Sequence, residues 1–104
     1  MCIKADRGVC KTTIRNKTGK IDFFKVLLPL NGVIVDGEPV QISRSNLILD
    51  IRGGKTVVTI VKEGGAWVSV ADVRVTSTEY LRAVQDDADQ DDLGELPTFT
   101  QTYA

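Results

Sequence analysis

Histidine is missing from this chain of 104 residues, and cysteine occurs only twice. The missing imidazole excludes Ser-His-Asp and Cys-His catalysis, and two cysteines are too few for a structural zinc site. The sequence contains neither a GxxxxGK[ST] phosphate loop nor a GxGxxG fingerprint. The Gly-Gly-Lys-Thr run at residues 53–56 superficially resembles part of a phosphate loop. It follows a predicted helix, however, and the C-terminal end of a helix repels anions, so we interpret it as the turn that ends the helix. We therefore predict a non-enzymatic protein with no cofactor, no catalytic residues and no metal site.

Long apolar runs are missing too, so no membrane-spanning segment is predicted, and the start lacks the apolar core of a signal peptide. We expect a cytoplasmic protein with no membrane partner. In an extended chain Cys2 and Cys10 would lie about 27 Å apart, at ~3.3 Å per residue, which is too far for a disulfide. Free, idle thiols are the favoured interpretation. A reactive thiol, activated by Lys4, Arg7 or Lys11, is the alternative.

Charge is unevenly distributed, although the net charge is only -1. The first 25 residues contain seven bases and two acids, whereas residues 85–104 contain six acids and no base. We favour an attraction between the two ends, within one chain or between copies in a homo-oligomer. The alternative is a nucleic-acid interface that uses the basic end, with aromatic side chains stacking on bases. The candidate contacts for a partner or ligand are Lys4, Arg7, Lys11, Trp67, Tyr80 and Arg82.

The acidic run at residues 86–92 places carboxylates close together, as calcium ligands would be. It lacks the glycine and the glutamate that an EF-hand loop needs at its sixth and twelfth positions. We interpret the run as a solvated acidic linker. The chain then divides into a single α+β domain, residues 1–84, and an acidic linker with an apolar C-terminal tail, residues 85–104.

Strand-forming patterns predict two hairpins. Residues 2–14 form a strand interrupted at Gly8, and residues 20–28 form its partner beyond an Asn-Lys-Thr-Gly turn. Residues 56–62 and 66–76 form the second hairpin across a Gly-Gly turn. The candidate inward residues of the strand at 20–28 are Ile21, Phe23, Phe24 and Val26.

Residues 43–52 are the helix candidate, with Ser43 or Ser45 as the N-cap and Gly53 or Gly54 as a left-handed C-cap. Its predicted apolar face consists of Leu47, Ile48 and Ile51.

Pro29 ends the preceding strand, and the turn-rich residues 31–40 are interpreted as an inserted hairpin or loop. Residues 78–84 form a short helix or an extended arm. Together these elements predict an α+β fold, a small and mostly antiparallel sheet in the order ββαββ with one short helix.

The C-terminal third carries a family resemblance. A Tyr-Leu-Arg segment, an Asp-rich spacer and an Asp-Asp-Leu-x-x-Leu-Pro motif begin at Tyr80 and end at Pro97. On these residues the chain resembles the domain-of-unknown-function family numbered 3892, found in bacteria, archaea and phages. Residues 3–7, 19–21 and 43–54 are similar to its opening strand, turn and short helix.

The chain departs from that pattern by an insertion around residues 28–41, by Asp92 where Asn is usual, and by seven residues after Pro97. The resemblance implies a small cytoplasmic domain of unassigned activity and allows a phage origin. It implies no functional residues.

An acidic spacer followed by apolar residues also suggests an anchor. We expect Leu93, Leu96, Pro97 and Phe99 to dock on a face or edge of the sheet, on this chain or on a neighbour. The predicted function is that of a small non-enzymatic binding or assembly module, such as a phage-encoded inhibitor or a small-ligand binder. Its expected partners are further copies of itself, another protein or a small ligand. The alternatives are nucleic-acid binding through the basic end and a small hydrolase built at a subunit interface.

Overall fold

A computed structural model describes residues 3–77, 79–83, 91–94 and 96–99 of the chain. Cys2 and the acidic run up to residue 90 lie outside the described residues. The elements in chain order are β1 (Arg7–Thr12), β2 (Phe23–Leu27), β3 (Pro29–Leu30), β4 (Val33–Ile34), β5 (Val40–Ser43), α1 (Arg44–Arg52), β6 (Val57–Glu63), β7 (Ala66–Asp72), β8 (Arg74–Val75) and β9 (Leu81–Arg82).

A five-stranded sheet in the order β5-β2-β1-β6-β7 forms the centre of the protein. All its neighbouring strands are antiparallel except β1 and β6, which are parallel. The described residues therefore form a small α+β structure with a mostly antiparallel, mixed sheet and one short helix. The predicted ββαββ order is not confirmed in that form, because β5 adds a further strand between the insertion and the helix. The residues of β5 alternate between apolar and polar, but the strand has only four residues and directly follows the turn-rich insertion, so it was not predicted.

The predicted interruption of the first strand at Gly8 is wrong. Gly8 lies inside β1, and the irregularity is a bulge between Val9 and Lys11. Gly8 is needed for packing, because a Cβ atom built there would lie 2.9 Å from Cδ1 of Ile60 on the neighbouring strand. The glycine therefore leaves room for the Ile60 side chain, which packs against it.

Helix α1 begins and ends on local signals. The Ser43 side chain accepts a hydrogen bond from the Asn46 backbone N–H at 3.3 Å, so Ser43 is the N-cap. At the other end Gly53 has φ -79°, and Gly54 takes the left-handed conformation with φ +93°. Leu47 and Ile48 of the predicted apolar face are buried, and Ile51 is half-buried. The helix is thus held by two cap residues and by packing on the sheet.

The sheet is covered on both faces. Side chains alternate along β2 and β6, so Phe24 and Val57 lie on the helix side while Leu27 and Val58 lie on the other. The second face is covered by the β3–β4 hairpin, whose Ile34 is 8% exposed. Because both faces of β2 are buried, apolar residues occur at odd and even positions alike. This is why the apolar residues of the segment 20–28 do not follow a simple alternation.

The second predicted hairpin is confirmed as β6 and β7, joined at Gly64 and Gly65, which both have positive φ. The strand predicted at residues 66–76 is divided, since β7 ends at Asp72 and β8 leaves it to pair with β9. Among residues 79–83 none is helical: Leu81 and Arg82 form β9, and Glu79 lies in a bend with φ +67°.

Candidate ligand pocket

Strands β1 and β6 separate in the middle of the sheet. They are paired at residues 7–9 of β1. Beyond that point the register shifts in the pairing of β1 with β2 and in the pairing of β6 with β7. Thr12 then bonds to the C-terminal segment: its N–H donates to the Pro97 carbonyl at 3.1 Å, and its carbonyl accepts from the Phe99 N–H at 3.0 Å. Thr98 forms a parallel bridge with Thr12. The C-terminal segment therefore lies beside β1 where β6 has moved away.

A cavity of about 420 Å³ lies at this separation. Such a volume falls within the range of about 300–1,000 Å³ that small-molecule sites occupy. We call it the Trp67 pocket; its lining residues are Cys10, Lys11, Ile60, Val61, Lys62, Trp67 and Pro97. The fold thus brings together two predicted contacts, Lys11 and Trp67, and one predicted tail residue, Pro97.

Trp67 is held in place by Asp36, in the inserted segment, and by Lys62, in β6. Its indole Nε1–H donates to Oδ1 of Asp36 at 2.8 Å, and Nζ of Lys62 lies 5.3 Å from the centre of a Trp67 ring. Nζ of Lys62 is also 3.6 Å from Oδ2 of Asp36. The hydrogen bond from Trp67, followed by the charge of Lys62, lowers the pKa of Asp36. Because Asp36 belongs to the inserted segment, the insertion orients a wall of the pocket.

Cys10 lies at the β1 bulge and is 3% exposed. Its Sγ–H donates to the Lys25 carbonyl at 3.4 Å. Burial raises the pKa of the Cys10 thiol, although the charges of Lys11 and Lys25 act in the opposite direction. A thiol that stays neutral is a weak nucleophile, which supports the idle-thiol interpretation for Cys10.

The three basic residues predicted as contacts near the start of the chain do not form one surface. Arg7 Nε pairs with Asp50 Oδ2 of α1 at 3.2 Å, so Arg7 faces the helix side of the sheet. Lys4 is exposed, and its backbone forms an antiparallel β-bridge with Val33 of β4, which lies on the face of the sheet away from the helix. Lys11 is exposed at the Trp67 pocket. Arg7 is therefore committed to an internal ion pair and does not share a face with Lys4.

The remaining predicted contacts lie elsewhere. Tyr80 is half-buried, with Lys20 Nζ 5.8 Å from the centre of its ring. Arg82 is 1% exposed and its Nη1 lies 3.8 Å from Oδ2 of Asp92. The proposed contact role of Arg82 is corrected on this ground, because a buried guanidinium cannot reach a partner at the surface.

The C-terminal segment packs on its own chain. Leu93 is 4% exposed within the helix-side cluster, and Leu96 packs against that cluster. The ring of Phe99 is half-buried, 5.4 Å from Nζ of Lys25, whereas the Pro97 side chain is exposed. The segment therefore contributes to the core through its leucines and to the sheet through its backbone.

Sequence reasoning missed a buried ion pair between Asp91 and Arg44. Asp91 is fully buried, and Arg44 Nε and Nη2 donate to its carboxylate at 2.8 and 3.1 Å. The same carboxylate accepts from the backbone N–H groups of Ile21 at 2.7 Å and Leu81 at 2.8 Å. The hydrogen bond to Asp91 raises the pKa of Arg44.

The assignment of Asp91 to a solvated linker is therefore wrong for this residue. Composition alone cannot distinguish a buried carboxylate from its exposed neighbours. One sequence signal was available, since Asp91 opens the Asp-Asp-Leu motif of the C-terminal third.

In the part of the chain that the structure describes, no three His, Cys, Asp or Glu side chains are grouped so that they could hold a metal ion. The helix found there is too short to cross a membrane. No protein-family model matches the chain, and no match was found among curated proteins or solved structures. The resemblance to family 3892 therefore stays a prediction.

Proposed function

We propose that the protein is a small non-enzymatic binding module that holds a small ligand in the Trp67 pocket. The observation that carries this proposal is the convergence of Lys11, Lys62 and Trp67 on one cavity of about 420 Å³. Concave sites with apolar walls and a few converging polar groups are the usual form of ligand sites.

The chemistry of the lining supports binding over catalysis. Its titratable groups are the thiol of Cys10, whose pKa is raised, and the ammonium groups of Lys11 and Lys62. The neutral thiol is a weak nucleophile, and the chain has no histidine to serve as a general base. The pocket can hold and orient a ligand through contact and charge.

Nucleic-acid binding through the basic end gains no specific support, since Arg7 is engaged by Asp50 and by the Asp6 carbonyl. We therefore expect no salt-dependent retention on DNA or RNA. Assembly into a homo-oligomer and a cytoplasmic location remain predictions of the sequence.

Native mass spectrometry of gently purified protein tests the proposal. We expect a small bound mass on the wild-type chain and on Val70→Ala, a control on the same strand with Val70 63% exposed and outside the pocket. Trp67→Ala should lose that mass, because it removes the aromatic wall. A bare wild-type mass, together with no response of Trp67 fluorescence to small aromatic probes at millimolar concentration, would contradict the proposal.

A further inference from the structure

We infer that the ligand of the Trp67 pocket is a small organic anion with a flat apolar body, such as an aromatic carboxylate. This inference rests on the proposed function and adds the chemical class of the ligand. It is carried by two properties of the lining, its apolar interior and the sign of the charges around it.

The interior suits a flat apolar body. The accessible apolar lining is provided by Val61 and Trp67, which are half-buried, and by Pro97, which is exposed, while the neighbouring Ile60 and Cys10 are buried. The indole of Trp67 forms one wall and is fixed by its hydrogen bond to Asp36. A planar ring can stack on an aromatic face at little entropic cost, since the wall is already oriented. The volume accommodates a one-ring or two-ring compound.

The charges around the pocket favour an anion. Lys11 and Lys62 line it, and Lys11 has no ion-pair partner among the described residues. Asp36 is the acidic group beside Trp67, and it already accepts a hydrogen bond from the indole and pairs with Lys62. Among the described residues around the pocket, two cations stand against one engaged carboxylate, and this balance favours a positive potential, which walls of low polarity concentrate.

A matched pair of probes separates the ligand class from binding itself. We would titrate 2-naphthoate and its neutral isostere 2-naphthamide, at low ionic strength, and follow binding by isothermal titration calorimetry, which also serves the variant that lacks Trp67, the single tryptophan of the chain. We expect the carboxylate to bind about tenfold more tightly than the amide, because two partly exposed charge contacts each contribute modestly. Added salt should reduce that ratio.

Substitutions assign the preference to the pocket. Lys11→Gln and Lys62→Gln should each lower the carboxylate-to-amide ratio severalfold, while Lys4→Gln, an exposed lysine outside the pocket, should leave it unchanged. Trp67→Ala should weaken both probes.

The outcomes distinguish the two proposals. Equal binding of both probes, insensitive to the lysines but lost in Trp67→Ala, would overturn the anion class and leave the binding module intact. If the carboxylate still binds to Trp67→Ala, the assignment of ligand binding to the Trp67 pocket would be overturned. Binding of neither probe would overturn the inference and count against the proposed function as well.

Discussion

Asp91 carries a charge into the interior, where an unpaired charge would be costly, and the half-buried Arg44 supplies the opposite charge. The geometry compensates this cost: the Asp91 carboxylate receives four hydrogen bonds, two from the Arg44 guanidinium and two from backbone N–H groups. Those backbone groups belong to Ile21 and Leu81, so a single carboxylate joins three parts of the chain to the C-terminal segment.

Asp91→Asn is expected to destabilise the protein by about 3 kcal/mol, since it leaves the Arg44 guanidinium without its counter-charge. The measurement is urea denaturation followed by Trp67 fluorescence. Asp72→Asn is the matched control, because Asp72 is exposed, and it should change the free energy of unfolding by less than about 0.5 kcal/mol. Equal losses in the two variants would contradict the structural role of Asp91.

The raised pKa of Cys10 predicts a pH dependence of stability. The folded state favours the neutral thiol, so this contribution is complete below the pKa of the unfolded thiol and is lost as pH rises through the folded pKa. We expect the free energy of unfolding to fall above pH 9.0, the usual value for this thiol. In a Cys2→Ser background, Cys10→Ala should flatten this fall. An unchanged slope in Cys10→Ala would show that another group is responsible.

At the scale of elements, the structure of β1 is set by its contacts with β6. The Ile60 side chain of β6 packs against Gly8, the pairing of the two strands ends at Val9, and the Trp67 pocket forms beyond that point. A residue with a side chain at position 8 would push against Ile60, which is fully buried. Ile60 therefore links the two features, since it packs against Gly8 and also lines the pocket.

Gly8→Ala is expected to cost about 1–3 kcal/mol through overpacking against Ile60. Ile60→Val removes the Cδ1 atom in question and should cost about 0.5–1.5 kcal/mol alone. The double variant should cost clearly less than the sum of the two. Gly37→Ala, where no atom lies within 4 Å of the added Cβ, is the neutral control. Additive losses in the double variant would contradict the predicted clash.

At the scale of the whole molecule, two segments that looked peripheral in the sequence complete the core. The insertion contributes Ile34 to the cluster on one face of the sheet, and the C-terminal segment contributes Leu93 to the cluster on the other. A boundary at residue 84 separates Leu93 and Asp91 from the core in which they are buried.

Leu93→Ala is therefore expected to lower the stability of the whole domain by about 2–5 kcal/mol, the usual cost of a cavity at a buried leucine. Leu49→Ala is the control, because Leu49 is 66% exposed on α1. Thermal unfolding of both variants provides the measurement. A melting temperature unchanged by Leu93→Ala would show that the C-terminal segment does not stabilise the domain.

The sequence by itself determined the parts that depend on neighbours along the chain. Ser43 caps the helix, Gly54 ends it, and the Gly64–Gly65 turn joins β6 to β7, because capping and positive φ are properties of a few consecutive residues. Only the tertiary structure decided the contacts between distant residues. The parallel pairing of β1 with β6, the Asp91–Arg44 pair and the Trp67 pocket all join segments far apart in the chain. Their formation depends on how the layers pack together, which local patterns do not encode.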